Sequence, residues 1–179
     1  LLACGFGAEE IGLLGSAHLA AALPVAADSI DVMVNLDAVG RLGDGPLHVA
    51  GLETSHRLGP LMEAAALHAE IRAQDTALLQ SDHLNFLRLE IPSLFLFTGG
   101  YPEMNSPADD LAHLDLAGIR QVASITRNLV AALATAPGAF PFRAPAPEAP
   151  EPEILQPAAK APEPVAPAGP QNVPAPAQM

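Results

Sequence analysis

Phe6-Gly7-Ala8-Glu9-Glu10-Ile11-Gly12-Leu13-Leu14-Gly15-Ser16 joins two different hydrophobic patterns. Before it, Leu1 to Phe6 is a short apolar run that reads as a buried strand. After it, Ile11 to Leu23 carries apolar residues at helical spacing, which predicts a helix from Glu10 to about Ala22. In α/β sheets the crevice outside the carboxyl ends of the strands is where ligands bind. Two adjacent carboxylates stand at that junction. Such a pair can divide labour, one carboxylate binding a metal and the other moving a proton. The positive end of the following helix tolerates the anionic pair. The same pair also reads as two solvated acids in a helix's first turn, where acidic residues are favoured.

Further along, Val32, Met33, Val34 and Leu36 form a near-continuous apolar run that ends at Asp37. That is the pattern of a strand covered on both faces. Asp37 then stands at a second strand end, either as a site residue or as a turn residue before Ala38-Val39-Gly40. Leu47 to Val49 reads as a short strand near an edge, with His48 exposed. Thr54 reads as the N-cap of an amphipathic helix from about Ser55 to Ala69, with Pro60 in its first turn. Residues 70–79 read ambiguously. Ser81-Asp82-His83 opens a short helix with Ser81 or Asp82 as its cap. Ser93 to Thr98 reads as another buried strand. Asp115 should cap a final helix running to about Ala134. His18, His56, His68 and His113 read as surface residues, and Cys4 as a buried inert thiol.

Five segments, taken in order, resemble the M28 family of zinc aminopeptidases. They are Glu9-Glu10-Ile11-Gly12-Leu13-Leu14-Gly15-Ser16, Asn35-Leu36-Asp37-Ala38-Val39-Gly40-Arg41, Ser81-Asp82-His83-Leu84-Asn85-Phe86, Ile91-Pro92 with Leu94 to Gly99, and Ser106-Pro107-Ala108-Asp109. The resemblance covers roughly residues 1–134. It implies a three-layer α/β/α sandwich on a mostly parallel, mixed sheet. It implies hydrolysis of peptides from the N-terminus at a pair of zinc ions. Carried over by position, it implies that Glu9 is the general base and that Glu10 and Asp37 are metal ligands. Asp82 and His83 would stand beside the metals, as supporting or substrate-pocket groups. The family's upstream His-x-Asp motif and its bridging Asp have no counterpart here. Asn105 aligns with a ligating His, and offers a neutral amide oxygen for weak metal or substrate contact. Met104 aligns with a position that is often Tyr. Two other readings stay open. One is a degenerate domain of this fold with a binding or structural role. The other is a glutaminyl-cyclase-like zinc enzyme, which the Glu-Glu signature fits less well.

Composition sets the outer limits. The chain of 179 residues is long enough for one ordinary domain. It begins inside an apparent core strand and without Met. That predicts the C-terminal portion of a catalytic domain lacking its first strands, and inactive as it stands. The net charge of −12 argues against a nucleic-acid partner. One cysteine permits no disulfide framework and no cysteine-based zinc site. No apolar run reaches the ~18 residues of a membrane span. The resemblance fits a periplasmic or secreted location, while the sequence itself fixes neither compartment nor oligomeric state. Thirteen of the 19 prolines fall from Pro137 onward, among Ala and Glu. Such a segment buries too little apolar surface to offset its ordering entropy, which predicts a peptidase-like domain over 1–136 and a disordered tail over 137–179.

Overall fold

The computed structural model describes residues 1–76 and 80–145. Four strands form one sheet: β1 (Met33–Leu36), β2 (Leu47–Ala50), β3 (Ile71–Gln74) and β4 (Ser93–Phe97). Their order across the sheet is β1-β4-β2-β3. The β1–β4 and β2–β3 pairs are parallel, and β2–β4 is antiparallel. Four α-helices accompany them among the described residues: α1 (Leu14–Ala21), α2 (Leu58–Ala66), α3 (His83–Leu87) and α4 (Leu116–Thr135).

Side chains alternate between the two faces of a strand, and β4 shows why both faces need cover. Leu94 and Leu96 join Leu47, Val49, Leu58, Met62, Val122, Ile125 and Leu129 in the main core, under α2 and α4. Phe95 points the other way and stacks on the His83 ring of α3, with centroids 5.0 Å apart. Helices on both faces of a mixed sheet make the expected three-layer arrangement. As expected, α4 starts at Asp115, whose carboxylate accepts the N–H of Ala117, and Pro60 falls in the first turn of α2.

Several local expectations give way. Residues 1–6 form no strand and are largely exposed, Cys4 included. An extended backbone is a strand only where a neighbour completes its ladder, and these residues pair with none. The first helix begins at Leu14, not Glu10. Gly12 at φ 116° and Leu13 at φ 57° interrupt any earlier helical turn. Gly15 lies close against the preceding turn: a Cβ there would lie 2.5 Å from the Gly7 carbonyl oxygen. The strand β2 is interior, between β4 and β3. His48 is accordingly half-buried, 2.9 Å from the Gln74 amide nitrogen and 5.0 Å from the Phe97 ring. Thr54 caps no helix. It is buried and bonds to the Gly51 carbonyl and to the backbone of Ser93.

The chain just beyond residue 136 packs onto the domain. Arg57 donates to the carbonyls of Pro137, Gly138 and Ala139 and lies 4.3 Å over the Phe140 ring. Phe140 is 6% exposed and belongs to the main core. The Arg143 N–H bonds to the Thr54 carbonyl at 2.8 Å. One aromatic ring therefore ties the start of the Pro/Ala-rich stretch to the domain, which composition averaged over the stretch obscures. The expected tail over 146–179 lies outside the described residues.

Candidate active site

Because β1 and β4 are parallel, Asp37 and the chain after Phe97 leave the same end of the sheet. The Asp37 N–H bonds to the Leu96 carbonyl, and the Thr98 N–H bonds to the Ala38 carbonyl. Asn35 and Asp37 share one face of β1. That face meets the N-terminus of α3. The Asn35 amide donates to Ser81 Oγ at 2.7 Å, and Ser81 Oγ donates to Asp37 Oδ2 at 2.8 Å. Ser81 is fully buried and Asn35 nearly so. The Ser81 hydroxyl, one of the two expected caps of α3, is thus spent on the carboxylate that follows β1.

Glu9 reaches the same neighbourhood from the turn before α1. Partial burial raises its pKa, and the negative charges of Asp37, Glu10 and Asp82 raise it further. Asp37 and Glu9 are thus brought close enough to repel. Glu10 is exposed. Asp82 is buried, and its Oδ1 has no hydrogen-bond partner among the described residues. His83 is fully buried, and both its ring nitrogens lack partners among the described residues. Burial pushes its pKa down to about 4 against a smaller opposing pull from Asp37, so the ring is neutral at pH 7.

Asn105 is exposed at φ 57° on the loop after β4, next to the exposed Met104. That loop is held by Arg41. Its guanidinium pairs with Glu103 at 3.0 Å and with Asp109, and lies 4.2 Å over the Tyr101 ring. Tyr101 donates to Asp109 at 2.8 Å. These bonds hold the Asp109 carboxyl below its usual range, the Tyr101 bond first and Arg41 second.

Four supporting residues escaped the sequence reading: Asn35, Arg41, Asn85 and Tyr101. A signal existed for two of them. Asn35 is polar within an apolar strand, two residues from Asp37, and Asn85 is polar between Leu84 and Phe86 in a short helix. Among the described residues, no three His, Cys, Asp or Glu side chains gather into a group able to hold a metal ion. A catalytic zinc ordinarily takes three protein ligands, so the residues present do not by themselves complete such a centre.

A family model described as "Peptidase family M28" matches residues 1–130. The chain belongs to peptidase family M28. The M28 assignment agrees with solved structures. An aminopeptidase from Aneurinibacillus sp. strain AM-1 shares 28% identity at a TM-score of 0.64, over 78% of this chain and 33% of that one. A zinc aminopeptidase from Bacillus subtilis shares 25% identity at a TM-score of 0.64, over 78% and 37%. A glutaminyl cyclase from Porphyromonas gingivalis shares the fold at 17% identity and a TM-score of 0.56, over 71% and 49%. The chain thus spans from a third to about half of these proteins. The comparison with curated protein sequences gave no match. Among the described residues no helix is long and apolar enough to cross a membrane.

Proposed function

We propose that this M28 chain contributes part of the catalytic centre of a zinc-dependent exopeptidase that removes N-terminal residues from peptides. The observation that carries the reading is the Glu9 carboxylate, its pKa raised by partial burial and by Asp37, Glu10 and Asp82. A general base works best when its pKa approaches the operating pH, and a raised carboxylate suits that task. In this role Glu9 takes a proton from the attacking water and returns it to the leaving amine. Glu10 and Asp37 are the metal donors this chain offers, with Asn105 as a weaker contact. Asp82 and His83 shape the pocket beside them. Two zinc ions need more donors than these residues supply, so the 179 residues alone should not turn over a peptide.

A second reading is a degenerate M28 domain that binds or braces without hydrolysing. It is favoured by Asn105 at the position implied for a ligating His, since an amide oxygen suits zinc less well than imidazole. The two readings part in one assay on the full-length protein. Release of an amino acid from an aminoacyl-nitroanilide, lost on chelation and restored by zinc, supports the enzyme. Absence of turnover in a folded, zinc-supplied protein supports the degenerate domain. Turnover of an N-terminal glutaminyl peptide to its cyclised form, without nitroanilide release, would instead indicate a cyclase.

A further inference from the structure

The turn that presents Glu9 and Glu10 is an unusual piece of backbone. The N–H groups of Gly12 and Leu13 both bond to the Glu9 carbonyl, Leu14 N–H bonds to Ala8, and Gly15 N–H bonds to Gly7. Ala8 at φ 58° and Leu13 at φ 57° both lie in the left-handed region. That region is disfavoured for residues with a Cβ, so the turn needs support from outside itself.

The support converges on the Leu13 carbonyl. Beyond the first helical bond from Ala17, it accepts Ser16 Oγ at 3.1 Å and the Asn85 side-chain amide at 3.2 Å. Asn85 Nδ2 also donates to Ser16 Oγ at 2.8 Å. Arg88 donates to Asn85 Oδ1 at 2.7 Å, which fixes the amide with its nitrogen towards the turn. Ser16 is fully buried and Asn85 is 6% exposed, so water does not replace these bonds cheaply. Phe86, the next residue, meets the Phe6 ring at 6.1 Å on the other flank of the turn.

We infer that Asn85 is a positioning residue that latches the 7–15 turn to α3 and so sets where Glu9 stands. The same short helix holds Asp37 through Ser81 at its N-terminal end. A helix gripping both carboxylate segments fixes the separation between them. The catalytic consequence rests on the proposed role of Glu9; the latch itself does not.

Two variants of the full-length protein test it. Asn85→Asp keeps the acceptor for Arg88 and loses the donors to Ser16 and Leu13. Ser16→Ala removes the hydroxyl shared between them. Hydrogen–deuterium exchange of a peptide covering 6–16 should rise about tenfold in Asn85→Asp and less in Ser16→Ala. A peptide covering 116–135 should stay unchanged in both. Unchanged exchange over 6–16 in both variants would overturn the latch. If Asn85→Asp unfolds, exchange over 116–135 rises too, and Ser16→Ala then decides alone. Turnover separates the latch from the role of Glu9. A latched general base predicts a lower kcat with KM nearly constant. Faster exchange over 6–16 with kcat unchanged supports the latch and contradicts the role of Glu9.

Discussion

Asp37 and Asn105 stand on segments that leave the same end of the sheet, yet they are held by opposite means. Asp37 is fixed by a buried neutral relay from Asn35 through Ser81. Asn105 rides on an exposed loop tied by ion pairs and a stacked guanidinium at Arg41. Buried hydrogen bonds resist water and salt, and their loss leaves orphaned groups. Exposed ion pairs are screened and contribute little to global stability. The molecule is therefore firm where the proposed base and one proposed ligand stand, and loosely tethered around Asn105.

Fully buried groups should show larger effects than the exposed loop. Phe140→Ala should lower stability by ~3–5 kcal/mol, read from the denaturant midpoint, because it empties a core position next to Arg57. An effect below about 1 kcal/mol would show that the segment after Pro137 is not packed into the core.

Next comes a pH dependence from His83. Its ring titrates near pH 6.5 when unfolded and near 4 when folded. The unfolded chain thus binds more protons between those values, and stability falls as pH drops through that window. The contribution is fully present above about pH 6.5 and amounts to ~3 kcal/mol lost by pH 4. A His83→Leu variant should lose this part of the slope. Parallel curves for the two proteins over pH 4–6.5 would contradict a buried neutral ring.

The tethered side should respond locally. Arg41→Ala should leave the thermal midpoint within about 2 °C while cleavage by added protease within 101–109 becomes several-fold faster. High salt should mimic the variant in part, since it screens the same pairs. A large drop in the midpoint would erase the contrast between the two sides.

What could be read in advance follows the same divide. Strand ends at Asp37 and Phe97, the cap at Asp115 and the cover on both sheet faces were legible because apolar periodicity and capping are local signals. The interior place of β2 was not, since Leu47 to Ala50 is too short to reveal its neighbours. Nor was the fate of Leu1 to Phe6, whose apolar run matches a strand but whose ladder depends on a partner elsewhere. Ser81 was legible as a cap and serves as a relay, because a hydroxyl at a helix start can bond either way. Glu9 and Asp37 were expected at two strand ends, but only Asp37 follows a strand, while Glu9 stands on a turn whose bonds no local pattern announces. Asn85 was not singled out, because its partners lie about seventy residues away.

The central claim is that Glu9 moves the proton while Glu10 and Asp37 serve as metal donors. Its most direct test is Glu9→Gln in the full-length protein, with zinc content and aminoacyl-nitroanilide turnover measured on the same sample. The account predicts unchanged zinc content and turnover lowered by a factor on the order of 100 to 10,000. Turnover equal to that of the unaltered protein, with zinc still bound, would contradict it.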